Sequence, residues 1–150
     1  MAQTLVSLLV HVVFSTKERR PTITPEVESE LYAYMAGTLK NLQSRCLAVG
    51  GTENHVHLLV SQSKNVALSR LMEELKKSSS KWIKTKAPAL RVFGWQDGYG
   101  AFSIGESNVE ALKRYIAGQK TRHQRQTFQQ EVVALLKKYK VEYDERYLWS

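Results

Sequence analysis

The sequence is poor in cysteine and proline and contains no long apolar run. Its 150 residues include a single cysteine, Cys46, and three prolines. One cysteine excludes an internal disulfide framework and fits a reducing cytosol, so we expect a cytoplasmic protein in which Cys46 is a small buried residue. No apolar stretch is long enough to span a bilayer, and we expect no membrane association. The partly apolar start, 1–13, lacks a basic leader and a small-residue cleavage site, so we do not interpret it as a signal peptide.

The chain has fewer acidic residues than basic ones. The chain has 22 lysines and arginines but 14 aspartates and glutamates, which gives a formal net charge of +8. Such an excess favours a polyanionic partner, and nucleic acid is the usual one. The composition is otherwise that of a globular protein, with 43% hydrophobic residues. This length and composition predict a single domain spanning 1–150.

The most informative stretch of the sequence is 50–60, which contains two glycines and two histidines. Gly50, Gly51 and Asn54 predict a turn, and the residues that follow predict a strand. Because side chains alternate along a strand, His55 and His57 are expected on one face. Two imidazoles on one face are potential metal ligands. Taken alone, the pattern more often indicates one core histidine with a hydrogen bond and one solvated histidine, and the rest of the chain has to shift that balance.

Hydrophobic periodicity predicts the order strand, helix, strand, strand, helix, one or two strands, helix, helix. The first strand contains His11, interpreted as a packed residue. The first helix follows a Thr24 N-cap, the second spans about 66–86, and the last opens with the capping-box spacing Thr127-x-x-Gln130. This order predicts an α+β fold, a ferredoxin-like antiparallel sheet with helices on one face and extra C-terminal helices.

Basic and aromatic side chains suggest contacts with nucleic acid, although each set also has an ordinary structural explanation. The basic residues are compatible with phosphate contacts or with a solvated surface. They form three groups: Arg19 and Arg20 after the first strand, Arg70, Lys77, Lys81 and Lys84 on one face of the second helix, and Arg122 and Arg125 after the third helix. Trp95, Tyr99 and Phe102 could stack on unpaired bases or fill the edge of a small core.

Two of these motifs resemble those of a known family. His55-Val56-His57, followed by Leu58-Leu59-Val60, resembles the His-hydrophobe-His signature of HUH endonucleases. The spacing of Tyr115 and Gln119 resembles the Tyr-x-x-x-Gln helix of single-tyrosine transposases in the IS200/IS605 group. The segments 14–21, 95–103 and 144–149 are also similar to that group, so the resemblance covers nearly the whole chain in the right order.

The resemblance implies a role for four residues. His55, His57 and Gln119 would be ligands of a divalent metal, Mg²⁺ or Mn²⁺, although ligand chemistry alone would also admit zinc. Tyr115 would be the nucleophile that leaves a 5′-phosphotyrosine and a free 3′-OH. Because all three ligands are neutral, the ion would keep its full charge. The expected substrate is single-stranded DNA, typically hairpin-forming element ends, and the expected assembly is a homodimer.

Rival interpretations remain open at this stage. Without the resemblance, Tyr115 and Gln119 would be a packing pair at the edge of a helix. A domesticated relative that processes chromosomal palindromic repeats would use the same chemistry. A non-catalytic nucleic-acid-binding module on the same fold would not depend on the Tyr115 hydroxyl at all.

Overall fold

A four-stranded antiparallel sheet forms the centre of the molecule. The structure is a computed structural model that describes residues 2–150. The strands are β1 (Leu9–Ser15), β2 (Arg45–Thr52), β3 (His55–Ser61) and β4 (Gly100–Ile104), in the spatial order β2-β3-β1-β4. β1 and β3 are central, with Val13 opposite His57 and Ser15 opposite His55. The predicted ferredoxin-like sheet is therefore confirmed.

The described residues also form six α-helices, two of which belong to the ferredoxin-like unit. Their bounds are α1 (Pro25–Asn41), α2 (Leu68–Ile83), α3 (Val109–Ala117), α4 (Gln119–Arg122), α5 (Phe128–Lys138) and α6 (Glu145–Leu148). Thr24 occupies the N-cap position of α1, with Pro25 in the first turn as predicted, although its side chain makes no capping hydrogen bond. Thr127 and Gln130 form the predicted capping box of α5. The second helix is shorter at both ends than the range 66–86 predicted from periodicity.

Different helices pack on the two faces of the sheet, and alternate side chains along each strand contact one set or the other. On one face, Val12, Val56 and Leu58 pack with α1 and α2 in the largest apolar cluster. On the other face, Leu59 packs against α3, and Val13 packs against α5. The helices of the ferredoxin-like unit thus share one face, and the extra C-terminal helices cover the other. No helix in residues 2–150 is long and apolar enough to cross a membrane.

Two local predictions are wrong. Gly50 and Gly51 belong to β2, and the turn lies at Glu53 and Asn54, because Thr52 pairs directly with His55. The segment 91–104 contains one strand, β4, and not two strand pieces. The chain before β4 forms a 3₁₀ helix (Pro88–Val92) and a single bridge between Trp95 and Thr16.

Candidate active site and metal centre

The four residues singled out by the sequence meet within one chain. His55 and His57 project from β3 toward α3 and α5, and both are fully buried. Tyr115 lies in the last turn of α3, and Gln119 begins α4 after Gly118. The Oε1 atom of Gln119 lies 2.9 Å from His55 Nε2. The Tyr115 ring meets the His57 ring edge-on, with 5.7 Å between centroids.

A carboxylate that sequence reasoning missed lies at the centre of this group. Glu131 of α5 is 2% exposed, and its Oε1 accepts hydrogen bonds from His57 Nε2 at 2.9 Å and from His123 Nε2 at 3.0 Å. Its Oε2 accepts from Gln119 Nε2 at 2.9 Å and from the Tyr115 hydroxyl. The sequence held one signal, because Glu131 falls on the apolar stripe of its helix, three residues after a buried phenylalanine.

Both histidines of β3 are oriented by partners at Nδ1. His57 Nδ1 lies 2.8 Å from Nε2 of His11, so His11 is packed in its strand as predicted and also contacts the site. His55 Nδ1 lies 2.8 Å from Asn54 Oδ1 and 3.0 Å from Thr52 Oγ1. In both rings Nε2 therefore points to the centre of the site. This arrangement is typical of metal-binding histidines, whose second nitrogen is held by a hydrogen bond.

The atoms that face the two ring nitrogens of His55 suit a cation at Nε2. Burial lowers the pKa of His55 to about 3, so at neutral pH the ring is uncharged and has one N–H. Both ring nitrogens nevertheless face oxygens, Asn54 Oδ1 at one side and Gln119 Oε1 at the other. Gln119 cannot offer its amide nitrogen instead, because that nitrogen donates to Glu131. A cation at Nε2, with the proton kept at Nδ1, satisfies all of these atoms.

The spacing of the donor atoms also fits a metal ion. His55, His57 and Glu131 each offer one ligand atom, and these three atoms lie within 4.8 Å of one another. Neighbouring donors are 2.9 Å apart at His57–Glu131, 2.9 Å at His55–Gln119 and 3.6 Å at His55–Glu131. Adjacent ligands of an octahedral Mg²⁺ are about 2.9 Å apart, given metal–oxygen distances near 2.1 Å. Imidazole nitrogens with carboxylate and amide oxygens suit Mn²⁺ and Zn²⁺ as well.

Tyr115 combines a protected hydroxyl with a cationic neighbour. Burial, together with the hydrogen bond to Glu131, raises the pKa of the Tyr115 phenol above its usual range, so the phenol is protonated at neutral pH. The Arg122 guanidinium carbon lies 4.4 Å from the centroid of the Tyr115 ring. An open groove runs past the ring between Arg114, Arg122 and Arg125. Tyr115 therefore borders both the buried group and this basic groove.

The fold brings only some of the predicted basic residues to this groove. Arg122 and Arg125 line it, together with Arg114, which the sequence did not single out. Arg19 instead donates to the backbone oxygen of Trp149 at 3.2 Å, and Arg20 forms an ion pair with Glu18 at 3.2 Å. The exposed row on α2, which comprises Arg70, Lys77, Lys81 and Lys84, belongs to the helix that packs on the opposite face of the sheet.

The aromatic residues between α2 and β4 divide between core and surface. Trp95 and Phe102 are buried, with Trp95 in contact with Phe14 and Phe102 stacked on Tyr139. Both therefore act as core residues in this structure. Tyr99 is 38% exposed and is the member of the set that remains accessible to a stacked base.

Comparisons with known proteins bear on the family and on the fold. The family model described as "Transposase IS200 like" matches residues 4–119. The crystal structure of a protein from Deinococcus radiodurans R1, assigned as a transposase, superposes with a TM-score of 0.63 at 19% identity, covering 79% of this chain and 95% of that chain. A REP-associated tyrosine transposase bound to a REP hairpin superposes with a TM-score of 0.61 at 13% identity, covering 82% of this chain and 73% of that chain. A comparison with curated protein sequences found no match.

Proposed function

The chain belongs to the IS200-like transposase family, and on that basis we propose that it cleaves and rejoins single-stranded DNA through a covalent bond to Tyr115. The observation that carries the proposal is the convergence of Tyr115, Gln119, His55 and His57 within one chain. The family model covers all four positions. A packing pair at a helix edge would not require a buried histidine pair beside it.

Each residue has a distinct part in the proposed reaction. The Tyr115 oxygen attacks phosphorus, a Tyr–O–P bond forms, and the bond from phosphorus to the 3′ oxygen breaks. The phenolic proton is transferred to the released strand, which ends in a 3′-OH. Because the bond energy stays in the phosphotyrosine, a second 3′-OH can displace Tyr115 and join the strands without ATP.

A divalent cation is part of this proposal. His55 Nε2, His57 Nε2 and Gln119 Oε1 are the atoms that would hold it. Asn54 and His11 contact the Nδ1 atoms of the two rings and so orient their Nε2 atoms. When bound, a divalent cation supplies charge neutralisation for the phosphoryl oxygens. Arg122 and Arg125 would hold the DNA backbone in the groove that leads to Tyr115.

The proposed substrate is a hairpin with an unpaired flank at the end of an element. The REP hairpin bound by one structural neighbour supports this substrate class. The same neighbour favours a second candidate, in which the protein processes chromosomal palindromic repeats with the same chemistry. Matching imperfect hairpins on both sides of the gene would indicate a mobile element, whereas scattered copies would indicate the second role. The homodimer expected from the resemblance stays a prediction.

A covalent adduct tests the proposal. Single strands from both flanks of the gene, labelled at the 3′ end, are incubated with protein and Mn²⁺ and run on a denaturing gel. We expect label on the protein, lost with EDTA and lost with Tyr115→Phe. The matched control is Tyr143→Phe, which alters an exposed tyrosine of the C-terminal segment and should leave the adduct intact. Binding on a native gel without any adduct would favour the non-catalytic module.

A further inference from the structure

Glu131 carries chemistry that the proposed function has not used. It lies on α5, beyond the segment 4–119 that the family model matches. A carboxylate that is 2% exposed is costly to bury unless a positive charge compensates it. No lysine or arginine in the part of the chain that the structure describes lies within ion-pair distance of Glu131, where histidines are its partners. The compensating charge is therefore absent from the described side chains unless one of those histidines is protonated.

The two oxygens of this carboxylate face different groups. Oε1 lies 2.9 Å from His57 Nε2, 3.0 Å from His123 Nε2 and 3.6 Å from His55 Nε2. It thus lies among the nitrogens that would bind a cation. Oε2 accepts hydrogen bonds from Gln119 Nε2 and the Tyr115 hydroxyl. One side chain thereby touches the metal donors with one oxygen and the nucleophile with the other.

We propose that Glu131 is a ligand of the divalent cation through Oε1 and that it holds the Tyr115 hydroxyl beside that cation through Oε2. This inference rests on the proposed function and extends its ligand set. His57 Nε2 and Glu131 Oε1 would both turn from hydrogen bonding each other to holding a bound cation, and their 2.9 Å separation is close to that between adjacent metal ligands. The hydrogen bonds to Oε2 do not have to break when the cation enters.

A carboxylate ligand changes the electrostatics that the sequence predicted. Three neutral ligands would leave the ion its full double charge, whereas Glu131 lowers the net charge of the centre by one. Tighter binding and a weaker Lewis acid follow from the added negative charge. Four protein ligands leave two positions of an octahedron for oxygens of the scissile phosphate.

The direct test is the affinity of the whole chain for Mn²⁺, measured by titration calorimetry in the absence of DNA. Glu131→Gln keeps the size of the side chain and removes its charge, and it should weaken binding at least about tenfold. The matched control is Glu142→Gln, which removes an exposed carboxylate from the C-terminal segment and should not change the affinity. His57→Ala should abolish binding. If Glu131→Gln does not fold, Glu131→Asp keeps the charge but withdraws it by one methylene, and it should also weaken binding.

The link to the nucleophile is tested by combining variants. Removing the Tyr115 hydroxyl frees Oε2, so Tyr115→Phe should change the Mn²⁺ affinity by at least about twofold in the wild-type background. The same substitution should have no effect in the Glu131→Gln background. Equal effects in both backgrounds would show that Tyr115 does not act through Glu131 and would overturn this part of the inference.

The outcomes separate the inference from the proposed function. If wild-type protein binds Mn²⁺ and forms the DNA adduct, but folded Glu131→Gln binds Mn²⁺ as tightly, the inference is wrong and the proposed function stands. If wild-type protein neither binds Mn²⁺ nor forms the adduct, both are wrong. Weaker binding by Glu131→Gln, with an unchanged control, supports the ligand role.

Discussion

At the residue scale, the sequence predicted which side chains form the site better than it predicted the contacts between them. His55 and His57 were recognisable because two-residue spacing in a strand places both on one face. Glu131 and His123 were not, because their roles depend on the packing of α5 and of the segment before it against β3. Such packing joins positions separated by 74 residues at His57 and Glu131. No local pattern encodes a contact of that separation.

Cys46 offers a residue-scale prediction with a defined pH dependence. The sequence predicted a small buried residue, and the side chain is half-buried in β2. Burial raises the pKa of the Cys46 thiol to about 11. The reactive thiolate is therefore scarce at neutral pH, and its population reaches its midpoint near pH 11, whereas that of an exposed thiol does so near pH 8.5.

We expect a thiol reagent to modify Cys46 of the native protein roughly a hundredfold more slowly at pH 8 than it modifies glutathione. The measurement is the rate of labelling between pH 7 and 10, with the urea-unfolded protein as control. A native rate that matches the unfolded rate at each pH, with its midpoint near pH 8.5, would contradict this description of Cys46.

At the element scale, Gly50 and Gly51 do not form a turn, and Gly50 instead allows α3 to approach β2 closely. Sequence reasoning placed a turn at Gly50 and Gly51, but both are in β2. A Cβ atom on Gly50 would lie 2.6 Å from the backbone oxygen of Ile116. The last turn of α3 therefore packs on the bare backbone of β2, and this contact fixes the height of Tyr115 above the sheet. A pattern of residue types could not reveal this, because it depends on the partner helix.

Gly50→Ala should displace the end of α3, since the clashing atom belongs to the backbone and cannot rotate away. We expect a loss of about 1–3 kcal/mol in the free energy of unfolding, as is usual for overpacking. The DNA adduct should form more slowly as well, because Tyr115 and Gln119 flank Ile116. The measurements are urea denaturation and the rate of adduct formation.

The chain supplies a matched control for that substitution. Gly37 lies exposed within α1, and a Cβ atom there would meet nothing within 4 Å. Gly37→Ala should therefore raise the free energy of unfolding by up to about 1 kcal/mol, because alanine is the better helix former. If Gly50→Ala behaved like Gly37→Ala, the close approach of α3 to β2 would not hold in solution.

At the scale of the whole molecule, the fold separates two basic clusters that the sequence could not place relative to the candidate active site. The net charge of +8 predicted a polyanionic partner, but the sequence could not say which basic cluster faces it. Arg122 and Arg125 lie on the side of the sheet that carries the histidine pair. The row on α2 belongs to the other side, because α2 packs on the opposite face. The layer order, which depends on the whole topology, therefore puts only Arg122 and Arg125 beside the candidate active site.

Salt dependence distinguishes these two surfaces. Arg122→Gln with Arg125→Gln should weaken binding to single-stranded DNA and should reduce the slope of log affinity against log salt concentration by about 1.4, since each phosphate contact contributes about 0.7. Lys81→Gln with Lys84→Gln removes the same charge from α2 and should leave the slope unchanged. A reduced slope only for the lysine pair would place the DNA on α2.

The identity of the residue that carries the DNA tests the central claim most directly. Protein and single strands from the gene's flanks are incubated with Mn²⁺, digested with trypsin and nuclease, and analysed by mass spectrometry. Cleavage after Arg114 and Lys120 releases the peptide 115–120, which contains one tyrosine. We predict that this peptide carries a nucleotide bound through its 5′ phosphate. Cleaved DNA with an unmodified 115–120 peptide, or a nucleotide on another tyrosine, would contradict the proposed role of Tyr115.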